Sequence, residues 1–255
     1  MNRTGLTIAL SIAFIAGVFC AVDPQLDLDL ARISFNPGRQ VFGINGQLWV
    51  QHARDAARLI ITLLVLPAFL ALAGKLIWPH RRMLIEGRAA LFLIVTLALG
   101  PGIITNLILK DHWGRVRPID VTQFGGADKF TPWWDPRGEC PNNCSFVAGE
   151  PSGAFWTLAP AALAPLELQP LAYGAALIFG MAVGILRIGG GGHFFSDVVF
   201  AGVFVYLEIW LVYGLIYRWP ATALSEDAIE QFLLRAGDAI RDALNRLMRY
   251  ARTSN

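Results

Sequence analysis

His193 and Asp197 stand four residues apart in RIGGGGHFFSD, residues 187–197, between two long apolar runs. On a helix that spacing puts both side chains on one face. A carboxylate that accepts from one ring nitrogen fixes the tautomer and leaves the other nitrogen free as base or nucleophile. Covalent histidine catalysis is one route through a difficult group transfer. Arg187 opens the same stretch, and Lys110 and Arg117 lie in KDHWGRVRP, residues 110–118. Arginine's planar fork grips phosphate oxygens in pairs, while lysine acts as a point charge. The three cations therefore suit an anionic group held at headgroup depth. Gly189 to Gly192 remove side chains just ahead of His193, which permits tight turns and lets backbone N–H groups approach a ligand. The plainer readings are cations that snorkel as interfacial anchors and a histidine satisfied inside a helix contact lined by small residues.

Positioning these residues falls to a strongly apolar chain. Of its 255 residues 55% are hydrophobic and 16% charged, where a soluble domain carries roughly a quarter charged. Charge-free or nearly charge-free runs occupy 4–22, 59–74, 89–109, 151–166, 168–186 and 198–217. A bilayer-spanning helix needs about 20 apolar residues. The 59–74 run extends through Lys75 to Trp78 by snorkelling, and 151–166 borrows from its N-terminal side. The expectation is an all-α polytopic membrane protein: six transmembrane helices over residues 1–220, then a cytoplasmic amphipathic helix over 221–255. A cleaved signal peptide is the alternative for the first run, but GVFCAVDP offers no clean small-x-small cleavage site, so the helix is expected to be retained. Arg81, Arg82, Arg88 and an arginine-rich tail mark the cytoplasmic side and place both termini there. The polar stretches 110–118, 144–155 and 187–197 then converge at the outer face. A net charge of +2 makes no case for nucleic acid.

From Ser225 onward, Ile229, Phe232, Leu233, Ala236, Ile240, Ala243, Leu244, Leu247 and Met248 form one helical stripe, with Arg235, Arg241, Arg246, Arg249 and Arg252 on the polar side. The stripe reads as a helix on the inner membrane surface, or as one that dimerises or packs back on the bundle. Residues 119–144 form the longest irregular stretch, of the length found in lids and binding loops. Trp133 and Trp134 within it suit either headgroup anchoring or a lid. Cys140 and Cys144, in CPNNC, face the oxidising side and are expected to be bridged. No His/Cys cluster completes a zinc site around them.

In this order, K-x6-R-P (Lys110, Arg117, Pro118), a serine/glycine motif, and R-x5-H-x3-D (Arg187, His193, Asp197) resemble the type 2 phosphatidic acid phosphatases, the PAP2 superfamily, over roughly residues 60–217. The resemblance implies a six-helix membrane fold and dephosphorylation without metal or other cofactor. By it, His193 attacks phosphorus to form a phosphohistidine and Asp197 orients it. Lys110, Arg117 and Arg187 hold the phosphate oxygens, with Ser145, Gly149 and Ser152 lining the substrate side. Two positions depart from the pattern: Leu186 stands where serine is usual, and the middle motif lacks its histidine. Aligning SFVAGE on Ser145, Phe146 and Gly149 puts Glu150 in that place, and a glutamic acid serves as general acid if burial raises its pKa. Aligning PSGA on Pro151, Ser152 and Gly153 leaves Ala154 there. His112 is the second candidate acid.

CSFVAGEPSGAFW with WGRVRP is similar to a bacterial branch that includes the lipid A 4′-phosphatases. That similarity implies a lipid A or phospholipid substrate, such as phosphatidylglycerol phosphate, phosphatidate or undecaprenyl pyrophosphate, and a site at the periplasmic face of the inner membrane. It sets no oligomeric state. A phosphotransferase, a catalytically weakened relative and a non-enzymatic binder or transporter, for which Glu208 in the last span would be the argument, are the competing readings. The His193–Asp197 spacing favours an enzyme.

Overall fold

A computed structural model describes the backbone of residues 1–253 and the side chains of all of these except 244, 245 and 249–253. In chain order it runs α1 (Arg3–Val22), α2 (Gln25–Arg32), a short hairpin β1–β2 (Phe35–Asn36 with Val41–Phe42), α3 (Leu48–Ile77), α4 (Gly87–His112), α5 (Gly149–Phe155), α6 (Leu158–Ala162), α7 (Gln169–Gly189), α8 (Phe195–Arg218) and α9 (Glu226–Thr253). In the hairpin Phe35 lies opposite Phe42, and Asn36 opposite Val41. Among the described residues, five helices are long and apolar enough to cross a membrane: α1, α3, α4, α7 and α8.

The expected sixth span, 151–166, is instead the pair α5 and α6, of seven and five residues. Pro160 has no N–H to reach back to the Trp156 carbonyl, which takes the Ala159 N–H at 2.8 Å instead. The helix breaks there. Most of this run is buried, as an all-round apolar helix should be.

The described chain divides into two compact units, Met1–Ile61 with Thr96–Leu211, and Thr62–Val95 with residues from Val212 onward. In the first, α5 and α6 pack on α7. Gly180 makes that approach: a Cβ there would lie 2.2 Å from the Phe155 ring. In α4 the stretch Ala98–Leu109 winds as a wider, π-type helix, with Pro101 inside it. Such widening is frequent at functional sites. Glu208 of α8 is buried against Gly100, and neither of its carboxylate oxygens has a hydrogen-bond partner among the described residues.

The connecting segments are packed rather than loose. Leu28, Ala31, Phe42, Val116, Val121, Phe124 and Phe194 form one buried cluster, drawn from α2, the hairpin, the stretch after α4 and the start of the His193 segment. Val121 and Phe124 thus tie the 119–144 stretch into a core. The tryptophan pair splits: the Trp133 ring centre is 4.3 Å from that of Phe200, whereas Trp134 is 47% exposed.

In the second unit Ser225 caps α9 by accepting the Ala228 N–H at 3.1 Å. The Glu226 carboxylate accepts the Gly87 and Arg88 N–H groups at the start of α4, and Lys75 donates to Glu230 at 2.7 Å. Ile229, Leu233 and Gly237 are buried, while Phe232, Ile240, Leu247 and Met248 are exposed. The first half of α9 therefore packs back within this unit, and the apolar stripe runs on uncovered. Leu244, Arg249 and Arg252 of the expected pattern lie outside the described side chains.

Gly180→Ala is expected to destabilise the protein by about 1–3 kcal/mol, the usual cost of overpacking a filled core, read as a lower midpoint of thermal unfolding in detergent. Gly174→Ala, where an added Cβ meets nothing within 4 Å, is the control and should leave the midpoint within error.

Candidate active site

His193 lies between α7 and α8, where the chain must turn. Gly191 takes a φ of +70°, and a Cβ on it would strike the Phe42 ring; only glycine fits both demands. Gly192 leaves room for the Arg187 guanidinium, which a Cβ there would meet at 2.5 Å. The expected role of the glycine run as a backbone cradle is not what the structure builds. The N–H groups of Gly190, Gly191 and Gly192 all bond to the carbonyls of Leu186, Ile188 and Arg187. They close the end of α7 rather than face a ligand.

The His193 ring is buried. Its Nδ1 is 2.7 Å from the Ser145 carbonyl oxygen. A carbonyl only accepts, so Nδ1 carries the proton and the neutral ring presents an unprotonated Nε2. The expected partner, Asp197, is 3.8 Å from Nδ1, too far for a hydrogen bond. Ser145, read from the sequence as a substrate-side residue, is thus the residue that fixes the tautomer. Its hydroxyl donates to Asp197 Oδ2 at 2.5 Å, and the Phe194 N–H donates to the same oxygen at 2.8 Å. Arg115 donates to Asp197 Oδ1. Burial pushes the imidazole down to about 4; Asp197 opposes that fall, and the charges of Arg187 and Arg117 add to it.

The cations arrive from three directions. Lys110 lies in the last turn of α4, and its Nζ donates to Asn143 Oδ1 at 3.0 Å. Arg117 donates to the same oxygen at 2.9 Å and to the Asn143 carbonyl at 2.7 Å. Asn143 sits at a φ of +47°, in the turn closed by the Cys140–Cys144 disulfide. One asparagine therefore gathers two of the expected phosphate ligands. Nothing in its sequence context marked it, beyond asparagine's tolerance of left-handed backbone. Arg187 is mostly buried, and its Nε lacks a hydrogen-bond partner among the described residues, so it retains a donor to offer.

Glu150, in the first turn of α5, is gripped by Arg54 of α3 through Nε at 2.8 Å and through Nη2. Arg58 lies 3.8 Å and Arg187 4.0 Å from its carboxylate. Burial by itself would raise the Glu150 pKa, but the Arg54 hydrogen bonds and the charges of Arg187, Arg54 and Arg58 together hold it below the usual carboxylate range. That environment is the reverse of what a general acid needs. Arg54, Arg58, Lys110, Asn106 and Glu150 line a cavity of about 280 Å³, floored by Ala57, Ile61, Pro101, Gly149, Gly153 and Val183. Arg54 and Arg58 were not singled out from the sequence. Their i, i+4 spacing was the available signal.

Two expected residues stand elsewhere. Ser152 is buried with its hydroxyl on the Ala148 carbonyl at 2.9 Å and beside Thr105. His112 is exposed, with Nδ1 on the Ile108 carbonyl of its own helix at 2.9 Å.

A family model described as the PAP2 superfamily matches residues 89–221. The chain belongs to the PAP2 superfamily. Lys110, Arg117, Glu150, Arg187, His193 and Asp197 all fall inside the matched residues. A lipid A 4′-phosphatase of Francisella tularensis subsp. novicida is 39% identical over 222 residues, covering 86% of this chain and 98% of the relative. A lipid A 4′-phosphatase of Rhizobium leguminosarum is 38% identical over 104 residues, 41% of this chain and 45% of the relative. One of Rhizobium etli is 36% identical over 102 residues, 40% of each. No solved structure matches the chain.

A buried imidazole with its pKa at about 4 is neutral throughout the physiological range. The acidic limb of the pH–activity profile is therefore expected near 4, not near the 6.5 of free histidine. The same shift makes the fold lose stability as pH falls from 6.5 towards 4, because the unfolded chain takes up a proton that the folded one refuses. Denaturation midpoints across that window, in wild type and His193→Ala, measure the second effect.

Proposed function

We propose that this protein is a membrane phosphatase that removes the 4′-phosphate of lipid A through a phosphohistidine. The observation that carries the reading is the His193–Ser145 bond. With Nδ1–H held by a carbonyl, the Nε2 lone pair of a neutral ring is free to attack, beside the charges of Arg187 and Arg117. The substrate follows from the relatives, which are lipid A 4′-phosphatases, one of them alignable over 98% of its length.

In the first step Nε2 bonds to phosphorus and the bond from phosphorus to the sugar oxygen breaks. The ring becomes a phosphoimidazolium, and Asp197 at 3.8 Å opposes its positive charge. Lys110, Arg117 and Arg187 take the phosphoryl oxygens, and charge developing on them is met by groups already fixed in place. Arg187 contributes the Nε–H that makes no hydrogen bond among the described residues and lies 4.0 Å from Glu150. Glu150 acts in its ionised form, as the counter-charge that spaces Arg54 and Arg187. The leaving oxygen takes its proton from water. In the second step water attacks phosphorus, the P–N bond breaks, and inorganic phosphate leaves with His193 restored. No step calls for a metal. We place the site at the periplasmic face of a bacterial inner membrane, with both termini cytoplasmic. A periplasmic site suits the Cys140–Cys144 disulfide, and the uncovered arginine-bordered stripe of α9 suits an anionic inner leaflet.

Phosphate release by the purified protein in detergent tests the reading, on lipid A, phosphatidylglycerol phosphate, phosphatidate and undecaprenyl pyrophosphate. Lipid A is expected to be preferred, with no release by His193→Ala and no loss of activity in EDTA. Release that survives His193→Ala would sink the phosphohistidine, and loss in EDTA restored by added metal would sink the metal-free mechanism. Phosphate moved to an added alcohol or lipid acceptor, with little reaching water, would make the protein a transferase.

Glu150→Gln is expected to slow substrates with good and poor leaving groups equally. A general acid contributes about 10²–10⁴-fold, so a loss of that size confined to the poor leaving group would return Glu150 to the acid's role.

A further inference from the structure

Behind Asp197 lies a second layer of charge that takes no part in the steps above. Arg115 is fully buried and donates in four directions: Nε to the Thr131 carbonyl at 2.9 Å, Nη1 to the Ser196 hydroxyl at 2.8 Å and to Asp197 Oδ1, and Nη2 to Asp27 Oδ2 at 2.7 Å. Asp27, buried on α2, accepts the Ser196 N–H at 2.9 Å and the Ser196 hydroxyl at 2.5 Å. The Phe194 ring packs 4.4 Å from the Arg115 guanidinium carbon, and the Phe130 ring 5.6 Å from it. No water reaches the group, so one guanidinium answers two buried carboxylates. One of these, Asp197, stands 3.8 Å from His193. The charged groups acting on His193 are Asp197, Arg187 and Arg117; Arg115 and Asp27 act on it through Asp197.

We propose that Asp27 and Arg115 are positioning residues for His193: Arg115 offsets the charge of Asp197, and Asp27, by competing for the same guanidinium, sets how much of that charge still faces the imidazole. The competition has opposite consequences at its two ends. With Asp27 neutral, Arg115 pairs with Asp197 alone, less negative charge faces the ring, and protonation of His193 becomes harder. With Arg115 neutral, two carboxylates are unmasked and protonation becomes easier. Asp27 also fastens α2, and with it the segment after α1, to the first turn of α8, where Ser196 precedes Asp197.

This inference rests on His193 as the nucleophile. The test is the pH dependence of kcat and KM for phosphate release from lipid A by the full chain in detergent, with folding checked by thermal unfolding. Asp27→Asn is expected to move the acidic limb of kcat to lower pH with KM little changed. Arg115→Met is expected to move it to higher pH by about one to three units, the range for removal of a nearby charge, so that activity at pH 5 falls by about twofold to fiftyfold relative to pH 7. Arg115→Met leaves two buried carboxylates unpaired and is the variant at risk of not folding. The near-isosteric Asp27→Asn therefore decides the matter alone if need be. A folded Asp27→Asn protein whose limb stays at the wild-type pH, or moves upward, overturns the proposal. Failure of the underlying reading looks different: His193→Ala would keep its activity.

Discussion

The site depends on one carboxylate with no access to water. Asp197 is fully buried, and a bare charge in that position would cost far more than a small fold can spare. Its two oxygens are met by Arg115, the Ser145 hydroxyl and the Phe194 N–H. Meeting them fixes three separate pieces of chain: the stretch after α4, the lead-in to α5 and the start of the His193 segment. Because the Ser145 hydroxyl is held there, the Ser145 carbonyl is aimed at His193 Nδ1. The tautomer of His193 is thus set by the same serine that meets the carboxylate, while Asp197 itself lies 3.8 Å from the ring.

The helices supply the rest by where they end. Lys110 lies in the last turn of α4, Arg187 lies in the last turn of α7, and His193 and Asp197 bracket the first turn of α8. Polar side chains at helix ends remain near the headgroup layer while the apolar bodies stay in lipid, an arrangement that costs little for long cationic side chains. What remains is to hold the ends in register, and the irregular segments do this with a core of their own. Phe35, Phe42 and Phe124 lie with ring centres 5.1 to 5.3 Å apart, in the same cluster as Phe194. The disulfide and Asn143 then draw Lys110 and Arg117 to one amide.

Much of this was legible in the sequence where the signal is local. Apolar run lengths gave five helices that could cross a membrane, and the Ser225 cap and the stripe gave α9. K-x6-R-P and R-x5-H-x3-D gave the family. The break within the 151–166 run was not legible because composition does not register the single missing N–H of Pro160. The glycine run misled because the sequence does not say that its N–H groups are already spent on α7. Asp27 and Arg54 were illegible for a different reason. Asp27 meets Ser196 across 169 residues, and Arg54 meets Glu150 across 96. Each looks like an ordinary loop or helix-end charge until the fold brings its partner to it. His193 to Asp197 was the opposite case: the spacing suggested one helix face, but the helix begins at Phe195, and the hydrogen bond goes to a carbonyl 48 residues away.

Glu150 shows how such a long-range partner changes the meaning of a residue. Alone at a motif position where relatives of the pattern carry histidine, a glutamate invites the role of acid. Beside Arg54 it becomes a fixed negative charge. The side chains of the pair are 29% and 27% exposed, and partly solvated ion pairs contribute little to stability, on the order of 1 kcal/mol or less. Stability is therefore a poor reason for the pair. Charge balance is a better one. Arg54, Arg58 and Lys110 bring three positive charges to one cavity, and Arg187 lies 4.0 Å from its Glu150. The Glu150 carboxylate offsets that charge, paired with Arg54 and lying 4.0 Å from Arg187. A histidine there, neutral or positive, would not offset the Arg54 charge.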